Sequence, residues 1–166
     1  EPYEALETPW GSHPMTDPLL SSNSFRVIHD GAGFSRSEKV KFLSECTVSM
    51  KNLRVCWEGK LKGNNCGECE KCVRTRLNFV IAGSPNPECF DTPLTKKHFK
   101  PIKLRTNPAR TEWNLIRTDI KRTGNGIEWL PEVEKVIKKK PKQKLRSRIF
   151  IKNLFKRLFK ITKSHS

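Results

Sequence analysis

The chain has little of what several protein classes require. Only 35% of its 166 residues are apolar, and no apolar run approaches the roughly 18 residues that a membrane-spanning helix needs. No segment has the pattern of a signal peptide. We therefore expect a cytoplasmic protein with reduced thiols, part of which does not pack into a core.

Acidic residues are absent from the last part of the chain. Residues 135–166 contain 13 of the 33 Lys and Arg residues and no Asp or Glu. The other 134 residues are nearly balanced, with 20 basic and 17 acidic side chains. The high net charge therefore belongs to the C-terminal segment, which argues against a folded domain built to bind nucleic acid.

The basic segment also has helical periodicity. Apolar residues recur along one side of a helix over 150–163, while lysines and an arginine occupy the other side. We expect residues 141–166 to be a basic amphipathic tail that binds an anionic membrane at its inner face, or a groove on a protein partner. A solvated or intramolecularly packed helix is the alternative, and nucleic acid is a less favoured partner.

Four of the six cysteines form the pattern C-x9-C-x2-C-x2-C, at Cys56, Cys66, Cys69 and Cys72. Each C-x2-C step turns two thiolates toward one ion, and Gly67 permits the left-handed backbone of a tight turn around it. Four sulfur ligands leave no position for a metal-bound water. The spacing therefore predicts a Zn²⁺ site that holds structure and does not perform hydrolysis.

Two other interpretations of these cysteines are open. They form a disulfide framework, or they are buried free thiols that happen to lie close in sequence. Cys46 and Cys89 lie outside the pattern, the first on the face of a predicted helix and the second after a proline-rich turn. We expect both to be packing residues.

Hydrophobic patterning predicts alternating strands and helices around the cysteines. Ser35 and Glu38 form the S-x-x-E pattern that begins a helix. The predicted elements are strands at 25–29 and 53–57 and helices at 35–45 and 69–82. This order predicts an α/β arrangement with parallel strands, although two strands are too few for an independent sheet.

Two further helices are predicted beyond residue 90. Asn107 and Pro108 are a good N-cap and N1 pair for a helix to about Arg122, and a second helix follows Leu130-Pro131. The predicted organisation is an α/β domain with the zinc site at 1–90, a helical cap at 91–140 and the basic tail at 141–166.

The cysteine region resembles a known family. Cys66-Gly67-x-Cys69-x-x-Cys72-x-Arg74, preceded by Cys56 and followed by Phe79-x-x-Ala82-Gly83 and Pro85-x-Pro87, is similar to the C-terminal part of 7-cyano-7-deazaguanine synthase. That queuosine-precursor family belongs to the PP-loop ATP pyrophosphatases, which have an adenine-nucleotide α-hydrolase-like fold. Its members carry zinc on four cysteines near the substrate pocket. The resemblance therefore implies part of that sheet and the same four zinc ligands.

The resemblance also implies a reaction. ATP activates a carboxylate or similar oxygen as an adenylate, pyrophosphate leaves, and a nitrogen nucleophile displaces AMP. The superfamily binds ATP through a Ser-Gly-Gly-x-Asp-Ser loop, which these residues lack. We therefore expect the C-terminal portion of an ATP-dependent ligase-like enzyme for a small or nucleobase-like substrate. It is inactive by itself, and ATP and Mg²⁺ are used only if a nucleotide-binding half precedes Glu1.

Four residues are candidates for contacting substrate or phosphate: Asp30, Arg36, Lys39 and Arg74. Arg36 and Lys39 lie on the first turns of a predicted helix, where backbone N–H groups and the helix dipole favour anions. A plain turn followed by solvated charges is the alternative. No residue is assigned a catalytic role.

Two other functions are open. A zinc-ribbon module would bind nucleic acid through residues 138–148 and the cysteine turns, but the loop at 58–70 mixes acids with bases and lacks interleaved aromatic residues. A non-catalytic adaptor would be docked to a membrane or partner by its C-terminal helix. The sequence does not indicate an oligomeric state.

Overall fold

The computed structural model describes residues 11–58 and 63–139, together with positions 3, 6 and 7. Short 3₁₀ turns occupy Asp17–Leu20, Lys96–Phe99 and Ile127–Trp129. The five α-helices of the described residues are α1 (Arg36–Ser44), α2 (Thr47–Asn52), α3 (Glu70–Ile81), α4 (Asn107–Thr123) and α5 (Leu130–Lys138).

The predicted α/β fold is wrong. The described residues contain no strand and therefore no adenine-nucleotide α-hydrolase-like sheet. Residues 25–29 were expected to form a strand, but their conformation is irregular, and Phe25 and Ile28 are 56% and 71% exposed. A weak alternation of residue types does not make a strand unless a second segment completes the hydrogen-bond ladder, and the described chain supplies none.

The second predicted strand, residues 53–57, fails for a different reason. The backbone N–H groups of Val55 and Cys56 donate to the side-chain oxygen of Asn65, at 2.9 and 3.1 Å. A side chain therefore takes the place that a neighbouring strand would have in a sheet. The segment is therefore irregular and has no partner strand among the described residues.

Helix α1 begins as its sequence predicts. The Ser35 hydroxyl accepts a hydrogen bond from the Glu38 N–H, and the Ser35 N–H donates to the Glu38 carboxylate at 2.7 Å. This reciprocal pair satisfies two of the donors that a helix start leaves without partners. Val40 and Ser37 are buried on the side of α1 that packs against α3, whereas Phe42 is exposed.

Helix α3 is the central element, and ten of its twelve residues are buried. It packs against both α1 and α4. Gly83 follows it with a φ of 86°, the Gly83 N–H donates to the Val80 carbonyl, and the Ser84 N–H donates to the Phe79 carbonyl. This paired closure satisfies two terminal carbonyls and explains why the sequence places glycine there.

Helix α4 begins one residue earlier than predicted. Thr106, not Asn107, is the N-cap, and its hydroxyl accepts a hydrogen bond from the Ala109 N–H. Pro108 then lies in the first turn, where its missing N–H costs nothing. Gly124 closes the helix in a left-handed conformation, with a φ of 76°.

The main core joins α3, α4 and α5 through the connecting segment 94–104. Phe99 of this segment stacks on Trp129 and meets Trp113 edge-on, with ring centroids 5.6 and 6.2 Å apart. The core thus contains residues from both sides of position 90, where the sequence predicts a domain boundary. Its buried members are Val73, Leu77, Val80, Ile81, Leu94, Phe99, Ile102, Leu104, Trp113, Ile116, Ile120, Val133 and Val136.

A buried carboxylate ties α1, α3 and α4 together. Glu112 of α4 is 4% exposed and accepts two hydrogen bonds from the guanidinium of Arg36, at 2.8 and 3.0 Å. Arg74 of α3 lies 3.1 Å from the same carboxylate and 3.2 Å from Glu70. Burial by itself raises the pKa of Glu112, but the bonds and charges of Arg36 and Arg74 outweigh burial and hold it below its usual value.

We predict that Glu112→Gln lowers the free energy of unfolding by about 3 kcal/mol at pH 7, because removing one partner leaves buried charge without compensation. Since the folded-state pKa of Glu112 is depressed, this stabilisation exists above the unfolded pKa and disappears as pH falls through the folded one. Urea unfolding at pH 7 and at progressively lower pH measures both effects.

The matched control is Glu88→Gln, because Glu88 pairs with Lys51 at 3.8 Å on the exposed surface. This substitution should leave the unfolding midpoint nearly unchanged. Equal effects of the two substitutions would show that the Glu112 network does not stabilise the helices.

Candidate metal centre

Two segments bring the four predicted cysteines to one place. Cys56 lies in the irregular segment that follows α2 and leads toward α3, and it is 3% exposed. Cys66 lies in a turn, Cys69 is the N-cap residue of α3, and Cys72 lies in the first turn of α3 with no exposed surface. The start of the central helix therefore supplies two of the thiols.

The four sulfur atoms have the spacing of a tetrahedral site. All four Sγ atoms lie within 4.8 Å of one another. The distance is 3.9 Å between the Cys56 and Cys69 sulfurs and 3.8 Å between those of Cys66 and Cys72. A zinc–sulfur bond of about 2.3 Å gives a tetrahedron whose edge is about 3.8 Å, so one ion fits between them.

The structure contradicts the interpretation of these cysteines as a disulfide framework. None of the six cysteines forms a disulfide, and the two sulfur–sulfur distances are far longer than the roughly 2.05 Å of such a bond. Cys46 is exposed and Cys89 is half-buried, and both lie outside the four-sulfur cluster.

The turn between Cys66 and Cys69 has the conformation expected around a metal. The Cys69 N–H points at the Cys66 sulfur, 3.3 Å away. Gly67 has a φ of 72°, in the left-handed region that glycine occupies without strain. This N–H bond helps to fix the position of the Cys66 sulfur, as outer-shell contacts do at metal sites.

Asn65 is a residue of the site that the sequence did not reveal. Its side-chain oxygen accepts the N–H groups of Val55 and Cys56, and its amide nitrogen donates to the carbonyls of Leu53 and Cys89, at 2.8 and 3.0 Å. Asn65 directly precedes Cys66, so its side chain holds the Cys56 segment beside the second ligand. In the sequence Asn65 is marked only by its place directly before Cys66, and no periodic pattern indicates that its side chain bonds to the Cys56 segment.

The electrostatics of the cluster require a cation if the sulfurs are to be charged. Burial raises the pKa of Cys69 to about 11, and the charge of Cys66 adds to this effect. Burial also raises the pKa of Cys72, with contributions from Cys69 and Cys66. A bound metal deprotonates coordinating thiols outright, so the buried cluster suits a metal far better than free thiolates.

The four candidate substrate or phosphate residues lie apart from the sulfur cluster or are engaged elsewhere. Arg36 and Arg74 meet at Glu112. The Lys39 side chain packs on the turn at Gly31, and its Cε atom lies 3.0 Å from the position that a Cβ on Gly31 would occupy. Asp30 is exposed. The structure thus brings Arg36 and Arg74 together, and their contact with a substrate stays a prediction.

An open cavity of about 390 Å³ lies beside the cluster. Cys69 forms part of its wall, and charged side chains of both signs surround it. The cavity lies between the start of α3 and the segment that leads into α4. Its charged lining residues are Glu58, Glu68, Glu70, Lys103 and Arg105.

The chain matches no protein-family model, and no curated protein or solved structure is significantly similar to it. The resemblance to 7-cyano-7-deazaguanine synthases therefore depends on the residues of the cysteine region alone. Among the helices that the structure describes, none is long and apolar enough to cross a membrane. The predicted amphipathic helix at 150–163 lies outside the described residues.

We predict that Asn65→Ala weakens zinc binding at least tenfold, because outer-shell partners of ligands typically contribute 10- to 100-fold in affinity. The substitution removes the bonds that hold Cys56 next to Cys66. Competition with a chromophoric zinc chelator measures the change. Asn64→Ala, at the exposed neighbouring position, is the matched control and should bind zinc as the wild type does. Equal affinities for the two variants would contradict the role given to Asn65.

Proposed function

We propose that Cys56, Cys66, Cys69 and Cys72 bind one Zn²⁺ ion that stabilises the fold. The observation that carries this proposal is the convergence of four sulfurs at distances that match a zinc–thiolate tetrahedron. Soft thiolates in tetrahedral arrangement favour zinc or iron–sulfur chemistry, and four protein ligands leave no open position for catalysis by the ion.

The ion would connect parts of the chain that otherwise have few contacts. The second, smaller core consists of Cys56, Cys72 and Phe90, with Val55, Cys69 and Cys89 packed against it. Two of its three buried members are metal ligands. So small an apolar cluster stabilises little without the ion, because each buried side chain contributes only about 1.5–3 kcal/mol.

We predict about one zinc per purified chain, and loss of cooperative unfolding when a strong chelator removes it. Structural zinc sites supply on the order of 10 kcal/mol, which exceeds what this region gains from packing. Cys69→Ser should reduce zinc content and thermal stability together, measured by elemental analysis and calorimetry.

Cys46→Ser is the matched control, since Cys46 is exposed and lies outside the cluster. It should retain the metal and the melting temperature of the wild type. Full zinc content with unchanged melting in Cys69→Ser would refute the four-sulfur site, as would wild-type protein that contains no metal.

At the level of activity, we propose that the chain is the zinc-stabilised portion of an ATP-dependent ligase-like enzyme acting on a small or nucleobase-like substrate. Two observations support this. The cysteine pattern resembles that of 7-cyano-7-deazaguanine synthases, in which the zinc lies near the substrate pocket. Here an open cavity adjoins Cys69, with Lys103 and Arg105 positioned to attract a carboxylate.

The absence of the Ser-Gly-Gly-x-Asp-Ser loop limits what these residues would do. Lys103 and Arg105 would hold the substrate carboxylate. Activation by ATP would need a nucleotide-binding region, and the Ser-Gly-Gly-x-Asp-Ser loop of such a region is not in this sequence. The carboxylates of Glu58, Glu68 and Glu70 in the same cavity would accept hydrogen bonds from ring N–H and amino groups.

We predict that the zinc-loaded chain binds a 7-deazaguanine carrying a carboxylate at position 7, and that Arg105→Gln weakens this binding about tenfold, the effect of losing one charge-assisted hydrogen bond. Isothermal titration calorimetry measures it. Arg117→Gln, outside the cavity lining, is the control. Lack of binding at millimolar ligand would refute the substrate role of the cavity and leave the zinc site unaffected.

A further inference from the structure

Arg76 is a buried cation beside the cysteine cluster. It lies on α3 and is 1% exposed. One terminal nitrogen of its guanidinium donates to the carbonyl of Gly67 at 3.0 Å, and the other donates to the carbonyl of Thr92. The Cζ atom of the guanidinium lies over the Phe90 ring, 5.2 Å from its centre.

Within the part of the chain that the structure describes, no carboxylate oxygen lies within 4 Å of the Arg76 guanidinium, although Asp91 lines the same cavity. Arg74 and Arg122 each lie within 4 Å of acidic side chains, and Arg36 bonds to Glu112. Arg76 forms no such pair, although it is the most buried of the four. Burying an ion without an opposite charge costs several kcal/mol, so a negative group near Arg76 would stabilise it.

The sulfurs of Cys72 and Cys89 lie close enough to Arg76 to act on its charge. Burial lowers the pKa of Arg76, whereas negative charge on Cys72 and Cys89 opposes that effect. Gly67, whose carbonyl Arg76 holds, lies in the turn between Cys66 and Cys69. The guanidinium therefore contacts the backbone of the metal-binding turn itself.

A zinc ion with four thiolates carries a net charge of −2, because four negative sulfurs exceed the two positive charges of the metal. We propose that Arg76 is the counter-charge of this dianionic centre and, through the Gly67 carbonyl, also positions its turn. This inference depends on the proposed zinc site. It explains why a fully buried arginine has carbonyl and aromatic partners but no acidic one.

A second cation near the cluster is less suited to this role. Lys71 lies over the ring of Trp57, with its ammonium 3.9 Å from the ring centre. Trp57 is 84% exposed, so this pair is in contact with water and its charge is screened. The buried position of Arg76 leaves its charge unscreened, and its effect on the metal centre is correspondingly larger.

The test separates the charge of Arg76 from its two carbonyl bonds. Arg76→Gln removes the charge, and Arg76→Lys keeps it but loses the planar fork. If the charge matters, zinc affinity measured by chelator competition falls at least tenfold in the Gln variant and stays within about threefold of wild type in the Lys variant. The absorption spectrum of the cobalt-substituted protein should keep its tetrathiolate bands in both variants.

Arg110→Gln is the matched control. Arg110 also donates to two backbone carbonyls, those of Ile137 and Lys139, each at 3.1 Å, but it does so away from the cysteines. Its replacement should reduce thermal stability without changing zinc affinity. A loss of affinity equal to that of Arg76→Gln would show that general destabilisation, and not charge, weakens the site.

The remaining outcomes also decide the question. Wild-type affinity in Arg76→Gln, or equal losses in the Gln and Lys variants, overturns the counter-charge while the zinc site stands. Wild-type protein that binds no zinc overturns both. If the Gln variant does not fold at any zinc concentration, the Lys variant decides alone, since retained affinity supports the charge and lost affinity overturns it.

Discussion

The approach of four sulfur atoms at the start of α3 is the constraint on which the rest of the described structure depends. It fixes the Cys56 segment, which belongs to no helix or sheet, against the N-terminal end of the most buried helix. Without an ion, the thiols of Cys69 and Cys72 would stay neutral at pH 7, because burial raises their pKa values. A bound metal would convert the cluster into a cross-link stronger than the few apolar contacts of this region.

From α3 the structure is extended by charge as well as by packing. Glu70 at the first position of α3 accepts a hydrogen bond from the indole N–H of Trp113, and Glu112, next to that tryptophan, gathers Arg36 and Arg74. These bonds run from the start of α3, next to Cys69, to α4 and α1. The cysteine cluster is therefore connected to the main core by hydrogen bonds and ion pairs, although the two apolar clusters are separate.

Local signals in the sequence predicted the grouping of the cysteines and four of the five described helices, because capping pairs, terminal glycines and ligand spacing act over a few residues. The Ser35–Glu38 pair and Gly83 are examples. The short helix α2 was missed. The sheet was predicted wrongly because residues 25–29 and 53–57 say nothing about a partner strand, and Asn65 satisfies the second segment instead. Glu112 lies 76 residues from Arg36, and such pairings arise only once the helices have packed.

In the described residues between Cys56 and Cys72, the four sulfurs lie together, and the side chains of Asn65 and Arg76 bond to the backbone around them. An ion that binds the folded form and not the unfolded one adds stability that grows with the logarithm of its free concentration. The stability of the cysteine cluster would thus depend on the free metal concentration as well as on the amino-acid sequence. In protein made where the metal is scarce, the cysteine turn that leads into α3 would not be held in its folded position, although the amino-acid sequence is the same.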